Sequence, residues 1–326
     1  MAAFDAAQLA LRTPLLAAQP PEEQARLLDL TNLTVEHLAE WLERYPIVRR
    51  VRAWPVALSI VAAAPWCSVP ELVAVTQLGL WIFALDDVFD EQLLPEPELL
   101  RCAADYQALA LGQPPARAGD ALFGALDDVQ RTLQAFPLFS MLRDEWASAM
   151  CRCIQAMVQE YRWRQAYRAG DLAAQPSYEV YLDNGAASIG IPPHDWATII
   201  VTGDASAADH RAYLREMDHL AAVCVRLAND LRSSAKEVAE GNINSLVILE
   251  QALERRGLEA SAARLEAHQQ VHAELAARLE ALWRLRAGAR TRSQRPEASI
   301  AAIAQFCSEF YAQFDYHTLA TGRQGQ

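Results

Sequence analysis

The stretch WIFALDDVFDE, residues 81–91, places four acidic side chains directly after an apolar segment. A helix starting near Pro70, a residue tolerated in a first helical turn, would put Asp86 and Asp90 on one face, with Asp87 beside both. Like charges this close, at the helix end where the dipole disfavours anions, are unfavourable without a neutralising cation. The stretch therefore predicts a cation site with Asp86, Asp87 and Asp90 as ligands, and a solvated acidic helix end is the alternative. Ligands that are all oxygen suit Mg²⁺ or Mn²⁺.

A second polar cluster lies in the segment RLANDLRSSAKE, residues 226–237. Asn229, Ser233 and Glu237 follow one another at intervals of four, so a helix would align them in one stripe. An amide oxygen, a hydroxyl and a carboxylate can chelate one hard cation, and Arg226 and Lys236 could reach phosphate oxygens from the same side. Such a stripe alone is an ordinary polar helix face, but its pairing with the acidic cluster is much more specific.

The composition favours an all-α protein in a single domain. Runs rich in Ala, Leu, Glu and Arg dominate, glycine is sparse at 13 residues, and no linker or repeat divides the 326 residues. Proline-bounded segments predict helices near 21–44, 70–91, 96–111, 118–135, 138–168, 176–190, 194–203, 206–239, 242–256, 258–290 and 295–318.

Charge and cysteine content limit the expected partners and compartment. A net charge of −12 provides no electrostatic footprint for nucleic acid. The six cysteines have neither zinc-site nor disulfide spacing, which favours a reducing, cytoplasmic setting. We expect no signal peptide and no membrane span, since the apolar run at 56–64 is too short to cross a bilayer.

The two clusters resemble motifs of class I terpene synthases, in particular the bacterial terpene cyclases. DDVFDE resembles the DDxxD motif of that family, and NDLRSSAKE resembles its NDxxSxxxE motif. Spacing, length and helical content agree over nearly the whole chain. The resemblance implies a class I terpenoid synthase helical bundle spanning residues 1–326 around a central apolar cavity, with ~20 N-terminal and ~8 C-terminal residues flexible. It implies three Mg²⁺ ions, two held by Asp86 and Asp90 and the third by Asn229, Ser233 and Glu237. Arg226 and Lys236 would contact the substrate diphosphate.

Two positions depart from that family pattern. Gly185 stands where the family often has a diphosphate-sensing arginine, and Asp315 replaces the arginine of a C-terminal Arg-Tyr pair. The segment YLDNGAASIG, residues 181–190, resembles that of bacterial ent-kaurene synthase-like enzymes, which implies a C20 diphosphate, either geranylgeranyl or bicyclic copalyl-type. No DxDD motif is present, so protonation-initiated cyclisation is not expected.

Several residues are candidates for the wall of the cavity. Aromatic faces stabilise cations by ~0.5–2 kcal/mol each. The candidates are Trp81, Phe83, Phe310 and Tyr316 among the aromatic residues, and Gly185, Ser188 and Ile189 in a glycine-containing stretch expected to interrupt a helix. Core packing is the alternative for each aromatic residue, and a simple helix end before Pro192-Pro193 is the alternative for the glycine-containing stretch. His194, after Pro193, is expected to be a surface histidine at a helix start, with a catalytic role as the alternative.

These features predict a Mg²⁺-dependent class I diterpene synthase that ionises a C20 isoprenoid diphosphate and releases diphosphate with a terpene hydrocarbon or alcohol. A sesquiterpene synthase using farnesyl diphosphate and a trans-prenyltransferase are alternatives. A diphosphate-binding helical paralogue without turnover is the non-enzyme alternative. Candidate partners are a second copy of the chain, as a homodimer, and a class II diterpene cyclase acting upstream. The expected setting is a bacterial cytoplasm.

Overall fold

The computed structural model describes residues 13–91, 94–113, 120–171, 174–240 and 242–316, excepting the side chains of 238–240. Most of the terminal segments expected to be flexible, residues 1–12 and 317–326, lie outside this range. Within it the helices are α1 Pro14–Ala17, α2 Pro21–His37, α3 Ala39–Arg44, α4 Ala53–Ala63, α5 Val69–Asp90, α6 Glu96–Ala110, α7 Ala121–Gln134, α8 Phe139–Arg168, α9 Tyr178–Ser188, α10 Ile191–Thr202, α11 Arg211–Glu240, α12 Ser245–Arg255, α13 Ala260–Ala287 and α14 Arg295–Tyr311. Short 3₁₀ turns cover Arg50–Arg52 and Ala205–Asp209. No strand occurs in these ranges, and the predicted all-α fold is confirmed.

Three element predictions need correction. Helix α4 was not expected, because its apolar run was weighed only as a membrane span, whereas it is a core helix with nearly every side chain buried. The helix predicted over 21–44 divides at Leu38, whose N–H bonds the carbonyl of Val35 at 3.2 Å in a tighter turn. The helix predicted from 206 begins at Arg211, after the 3₁₀ turn.

Helix α5 is the central element of the bundle. Ser68 and Glu71 form a capping box at its start, where the Ser68 N–H donates to Glu71 Oε2 at 2.6 Å. By length and composition α5 is the one described helix that could cross a membrane, but 83% of its most apolar window is buried inside the bundle. It packs against α2, α4, α7 and α10, as a core helix of a bundle does.

Helices α4, α8, α9, α10, α11 and α14 complete the bundle around α5. Helix α11 packs against α13 and α14, and α8 packs against both α9 and α10. This arrangement leaves a cavity between α5 on one side and α11 on the other.

The chain breaks between α9 and α10, as the glycine-containing stretch predicts. The break lies at Ile189 and Gly190, while Gly185 stays inside α9. Gly190 has φ +80°, a conformation that side chains other than glycine rarely adopt, and a Cβ there would come within 2.6 Å of Ile82 Cγ2. Pro192 and Pro193 then occupy the first turn of α10, where their missing N–H groups cost little.

Candidate active site

The two sequence clusters face each other across the cavity. Asp86 and Asp90 reach it from α5, and Asn229, Ser233, Lys236 and Glu237 reach it from α11. The lining also contains apolar side chains, among them Val56, Ile60, Ile82, Met157, Val225 and Ile303. The cavity therefore combines a carboxylate-bearing mouth, where Asp90 is exposed, with apolar side chains on its wall.

The first cluster concentrates negative charge on one face of α5. The pKa of the Asp86 carboxyl is raised well above its ordinary value by burial and by neighbouring carboxylates, chiefly Asp90 and Asp87 and then Glu160. Arg164 on α8 partly offsets this charge, with its Nη2 lying 2.5 Å from Asp90 Oδ1. An oxygen-rich site of this kind can be neutralised further by a bound cation.

Asp87 is not brought to the cavity. It lies on a different face of α5, buried, where Arg52 Nη1 and Nη2 donate to its two oxygens at 2.8 and 2.9 Å. Arg49 Nε is 3.1 Å from the same carboxylate. One residue turns a helix by about 100°, which separates Asp87 from Asp86. The structure thus places this predicted metal ligand in a salt bridge that ties α5 to the 49–52 segment.

The second cluster is ordered by hydrogen bonds around it. Ser233 Oγ donates to the Asn229 carbonyl at 2.9 Å, and the Asn229 side chain hydrogen-bonds Tyr311. Asn244 Nδ2 donates to Glu237 Oε2 at 2.7 Å. Burial and the nearby charge of Asp230 raise the pKa of Glu237 to about 7.

Arg226 lines the cavity but is already engaged by protein groups. Its Nη1 lies 3.2 Å from Glu160 Oε1, its Nε lies 2.9 Å from Asp230 Oδ1, and its Nη2 donates to the Tyr181 hydroxyl. A Cβ on Gly185 would lie 2.9 Å from Arg226 Cγ. The glycine in the position of the family's arginine therefore leaves room for the Arg226 side chain.

Sequence reasoning missed Glu160 and Arg164, which both line the cavity from α8. Ser188 Oγ donates to Glu160 Oε1 at 2.6 Å, and Arg164 also donates to the Phe89 carbonyl at 3.3 Å. Their spacing of four was visible in the sequence, but on a long helix it resembles an ordinary surface ion pair.

Of the aromatic candidates, Phe83 and Tyr316 line the cavity, with ring centroids 5.2 Å apart. Trp81 does not, because it faces α7, where its Nε1 donates to the Leu122 carbonyl at 2.8 Å. Phe310 is also absent from the lining, since it packs behind Tyr316 with centroids 4.4 Å apart. The structure thus places the Trp81 and Phe310 side chains in core packing, outside the cavity lining.

The α9–α10 break reaches the cavity through its last residues. Ser188 and Ile189 line the wall, whereas Gly185 lies outside the lining, against Arg226. Asp315, in the position of the family's second arginine, also borders the cavity and is 7% exposed.

His194 is buried rather than at the surface. It is 7% exposed and borders the cavity, and burial lowers its pKa to about 4. The surface prediction was wrong because the Pro192-Pro193 turn directs the first residues of α10 into the core.

The donors at the cavity mouth suit a hard divalent cation that shares its coordination with other oxygens. Within the described ranges, no three His, Cys, Asp or Glu side chains converge on one metal position. The first cluster offers two carboxylates and the second adds an amide and a hydroxyl to one carboxylate. Mg²⁺ binds in this way, taking one or two carboxylates and completing its shell with water and substrate phosphate.

Comparison with known proteins identifies a matching family. Residues 77–313 match the family described as "Terpene synthase family 2, C-terminal metal binding". Pristinol synthase of Streptomyces pristinaespiralis is 31% identical over 196 residues, covering 57% of this chain and 50% of that protein. The bifunctional cis-abienol synthase of Abies balsamea is 24% identical over 180 residues, covering 53% of this chain and 20% of that protein. The matched regions thus span half or less of the length of these two relatives.

Solved structures share the fold. Linalool/nerolidol synthase from Streptomyces clavuligerus, in complex with 2-fluorogeranyl diphosphate, superposes with a TM-score of 0.64 at 20% identity, covering 87% of this chain and 93% of that one. An α-eudesmol synthase gives a TM-score of 0.64 at 19% identity, covering 90% and 95%. Because the family match extends over most of the sequence and includes both carboxylate-bearing helices, this chain belongs to the terpene synthase family and carries its metal-binding region.

Proposed function

We propose that the chain is a Mg²⁺-dependent class I diterpene synthase. It ionises a C20 isoprenoid diphosphate, geranylgeranyl or copalyl-type, and converts the carbocation to a terpene hydrocarbon or alcohol with release of diphosphate. The observation that carries this proposal is one cavity lined by Asp86 and Asp90 from α5, by Asn229, Ser233 and Glu237 from α11, and by apolar side chains such as Ile60 and Ile303.

Asp86 and Asp90 would hold two Mg²⁺ ions, and Asn229, Ser233 and Glu237 a third, with Mn²⁺ as an alternative. When bound, the metal neutralises charge that builds on the departing diphosphate. Arg226 and Lys236 line the same cavity. Arg164 lines it too, although it belongs to neither sequence motif. We assign Arg164 to the diphosphate because its guanidinium already lies at the Asp90 carboxylate.

The interior wall would then guide the carbocation. Apolar side chains exclude the water that would quench a cation, and Phe83 and Tyr316 present aromatic rings to the space. The guanidinium carbon of Arg52 lies 5.2 Å from the centroid of the Phe83 ring. Arg52 is the same residue that pairs with Asp87. The contact with Arg52 helps to fix the orientation of the ring.

Two observations support the C20 substrate. The YLDNGAASIG segment resembles that of ent-kaurene synthase-like enzymes, and its end lines the cavity. In addition, a cis-abienol synthase is among the relatives. All six cysteines are free, which supports a reducing cytoplasm as the setting. A homodimer and an upstream class II cyclase remain part of the proposal.

The test is incubation of the purified protein and Mg²⁺ with farnesyl, geranylgeranyl, ent-copalyl and normal copalyl diphosphates separately. Products are analysed by gas chromatography–mass spectrometry and released diphosphate is quantified. Terpene from a C20 substrate with little from farnesyl diphosphate is the expected result. Asp86→Asn and Glu237→Gln serve as metal-site controls and should abolish both signals.

Each alternative has its own outcome in the same experiment. Product from farnesyl diphosphate alone would make the chain a sesquiterpene synthase. Chain elongation after addition of isopentenyl diphosphate would make it a prenyltransferase. No diphosphate release from any substrate, with inorganic diphosphate still bound, would favour the non-enzyme paralogue.

A further inference from the structure

We propose that His194 is the base that ends the reaction, accepting a proton from a carbon next to the cationic centre of the hydrocarbon held in the cavity. The proposal rests on the proposed function and adds a residue to it. It places proton removal at the start of α10, on a different helix from the metal-site candidates of α5 and α11.

The surroundings of His194 support this role. Its imidazole borders the cavity and is 7% exposed, and its Nε2 has no hydrogen-bond partner among the described residues. Its Nδ1 lies 3.5 Å from Asp195 Oδ1, a long contact that would strengthen once the ring carries a charge. A buried imidazole nitrogen without a partner costs free energy, and a catalytic role is one reason for a protein to retain such a group.

Behind His194 lies a pair of buried carboxyl groups. Asp195 on α10 and Asp218 on α11 are 1% and 6% exposed, and their carboxyl groups lie close enough to influence each other's pKa. Asp195 Oδ2 and Asp218 Oδ1 have no donor among the described side chains, so one proton shared by the two carboxyls would satisfy both atoms. Burial raises the pKa of both groups well above the ordinary value, which agrees with a retained proton. The indole of Trp196 donates to Asp218 and helps to hold the pair.

This pair prepares His194 to accept a proton. A singly protonated pair keeps one negative charge, and Asp195 accepting from the Nδ1–H leaves the lone pair of the neutral ring on Nε2. Burial favours the neutral ring at pH 7. A carbocation is a far stronger acid than an imidazolium, so the transfer is downhill even to a weakly basic ring.

The step balances in atoms and charge. The C–H bond next to the cationic carbon breaks, and its electron pair becomes the second bond of a new carbon–carbon double bond. The proton moves to Nε2, so the positive charge passes from carbon to an imidazolium beside Asp195. The proton leaves to solvent when the cavity opens for product release.

The other polar groups of the interior are weaker candidates. Cys307 and Tyr316 lie 3.8 Å apart, Sγ to hydroxyl oxygen, and burial raises the pKa of both, so each stays neutral and non-basic. Ser59 donates its hydroxyl to the Val56 carbonyl at 2.7 Å. Asp315 is the one competing carboxyl on this part of the described wall, so it is included in the test.

The experiment compares His194→Asn and His194→Ala with wild type on whichever allylic diphosphate the wild type converts. Diphosphate release and product profile are measured separately. We expect diphosphate release within about 3-fold of wild type, because the residues assigned to ionisation belong to α5 and α11 and not to α10. We expect the main product to fall by at least about 10-fold relative to other products, as the cation loses its proton elsewhere or meets water. Added imidazole should restore part of the original profile in His194→Ala, which a purely structural role would not allow.

Two further variants keep the result decisive. Asp195→Asn should shift products in the same direction, and it tests the idea if the His194 variants do not fold. His219→Asn changes an exposed histidine outside the cavity lining and should leave both measurements unchanged.

An unchanged profile in His194→Asn, or a profile that changes only in Asp315→Asn, would overturn the assignment. If the wild type converts substrate and the His194 variants form the same products in the same proportions, the role of His194 is refuted and the proposed function stands. A wild type that releases no diphosphate refutes the proposed function and this inference with it.

Discussion

Asp86 and Asp87 are neighbours in the chain with opposite surroundings. Asp86 faces the cavity, and Asp87 is 6% exposed and paired with Arg52. We therefore expect Asp86→Asn to lower kcat by at least about 100-fold with little loss of stability. Asp87→Asn should instead lower the free energy of unfolding by about 3 kcal/mol, because it leaves a buried arginine without its partner.

Urea denaturation and diphosphate release on the two variants measure this difference. Asp127→Asn, at a partly exposed i,i+4 ion pair with Arg131, is the control for a generic acidic position and should change neither quantity appreciably. A stable Asp87→Asn variant with lost Mg²⁺ dependence would show that Asp87 is a metal ligand after all.

Arg164 is the cation that motif comparison overlooked. It is largely buried beside Asp90, and a diphosphate bound at the mouth would accept from it. Arg164→Met should weaken Mg²⁺-dependent binding of inorganic diphosphate by about 10-fold, measured by titration calorimetry. Arg162→Met, an exposed arginine on the same helix, should bind as wild type does. Equal binding by both variants would remove Arg164 from the site.

Gly185 leaves the space that Arg226 fills. A methyl group there would lie 2.9 Å from Arg226 Cγ, so Gly185→Ala should displace this side chain from Glu160 and Tyr181. We expect kcat/KM to fall by about 10-fold or more while the helix itself gains propensity. Gly288→Ala, whose added methyl would make only ordinary contacts, is the control and should leave kcat/KM unchanged. Wild-type rates in Gly185→Ala would mean that Arg226 has room to adjust.

At the scale of elements, the α9–α10 break depends on Gly190. Both Gly190 and Gly203 have positive φ, but only a Cβ on Gly190 would contact Ile82, at 2.6 Å. Gly203→Ala should cost about 1 kcal/mol of backbone strain, and Gly190→Ala should cost that plus the clash with α5. Thermal unfolding of both variants measures the difference, and adding Ile82→Ala should recover part of the loss in Gly190→Ala only. Equal costs for the two alanine variants would show that α5 and the break are not tightly packed.

At the scale of the whole molecule, the metal-free protein should lose stability as pH rises. Glu237 has a folded pKa of about 7 against an ordinary 4.5, and that of Asp86 is also raised. The folded state thus binds protons more tightly, and the stability they contribute is complete below about pH 4.5 and is lost as pH rises through 7. In EDTA we expect a lower Tm at pH 8 than at pH 6, with a smaller difference in Glu237→Gln.

Cation binding should oppose that loss. Mg²⁺ with inorganic diphosphate binds the deprotonated carboxylates, so it should raise Tm more at pH 8 than at pH 6. Ca²⁺ without diphosphate is the comparison for general screening of the −12 net charge. A Tm gain that does not depend on pH would place the cation somewhere other than Asp86 and Glu237.

Periodicity and spacing predicted most of the helices. They were less successful in predicting whether an individual side chain reaches the cavity or packs against another helix. A spacing of four placed Asp86 with Asp90, and Asn229 with Ser233 and Glu237, on one side of each helix, and all of them reach the cavity. The spacing of one between Asp86 and Asp87 did not reveal that Asp87 faces Arg52, a residue 35 positions earlier in the chain. The aromatic candidates divided in the same way, since Phe83 reaches the cavity and Trp81 reaches α7.

The sequence by itself determined the all-helical architecture, the two carboxylate-bearing helices and the break near Gly190, because helix periodicity, proline and glycine act through neighbours in the chain. Only the tertiary structure decided that Arg226 occupies the space left by Gly185, that Arg164 stands beside Asp90, and that His194 is buried against Asp195 with Asp218 behind it. These contacts join residues on different helices, or depend on which way a helix faces. Their geometry is set by how the helices pack, and no local pattern of residues encodes it.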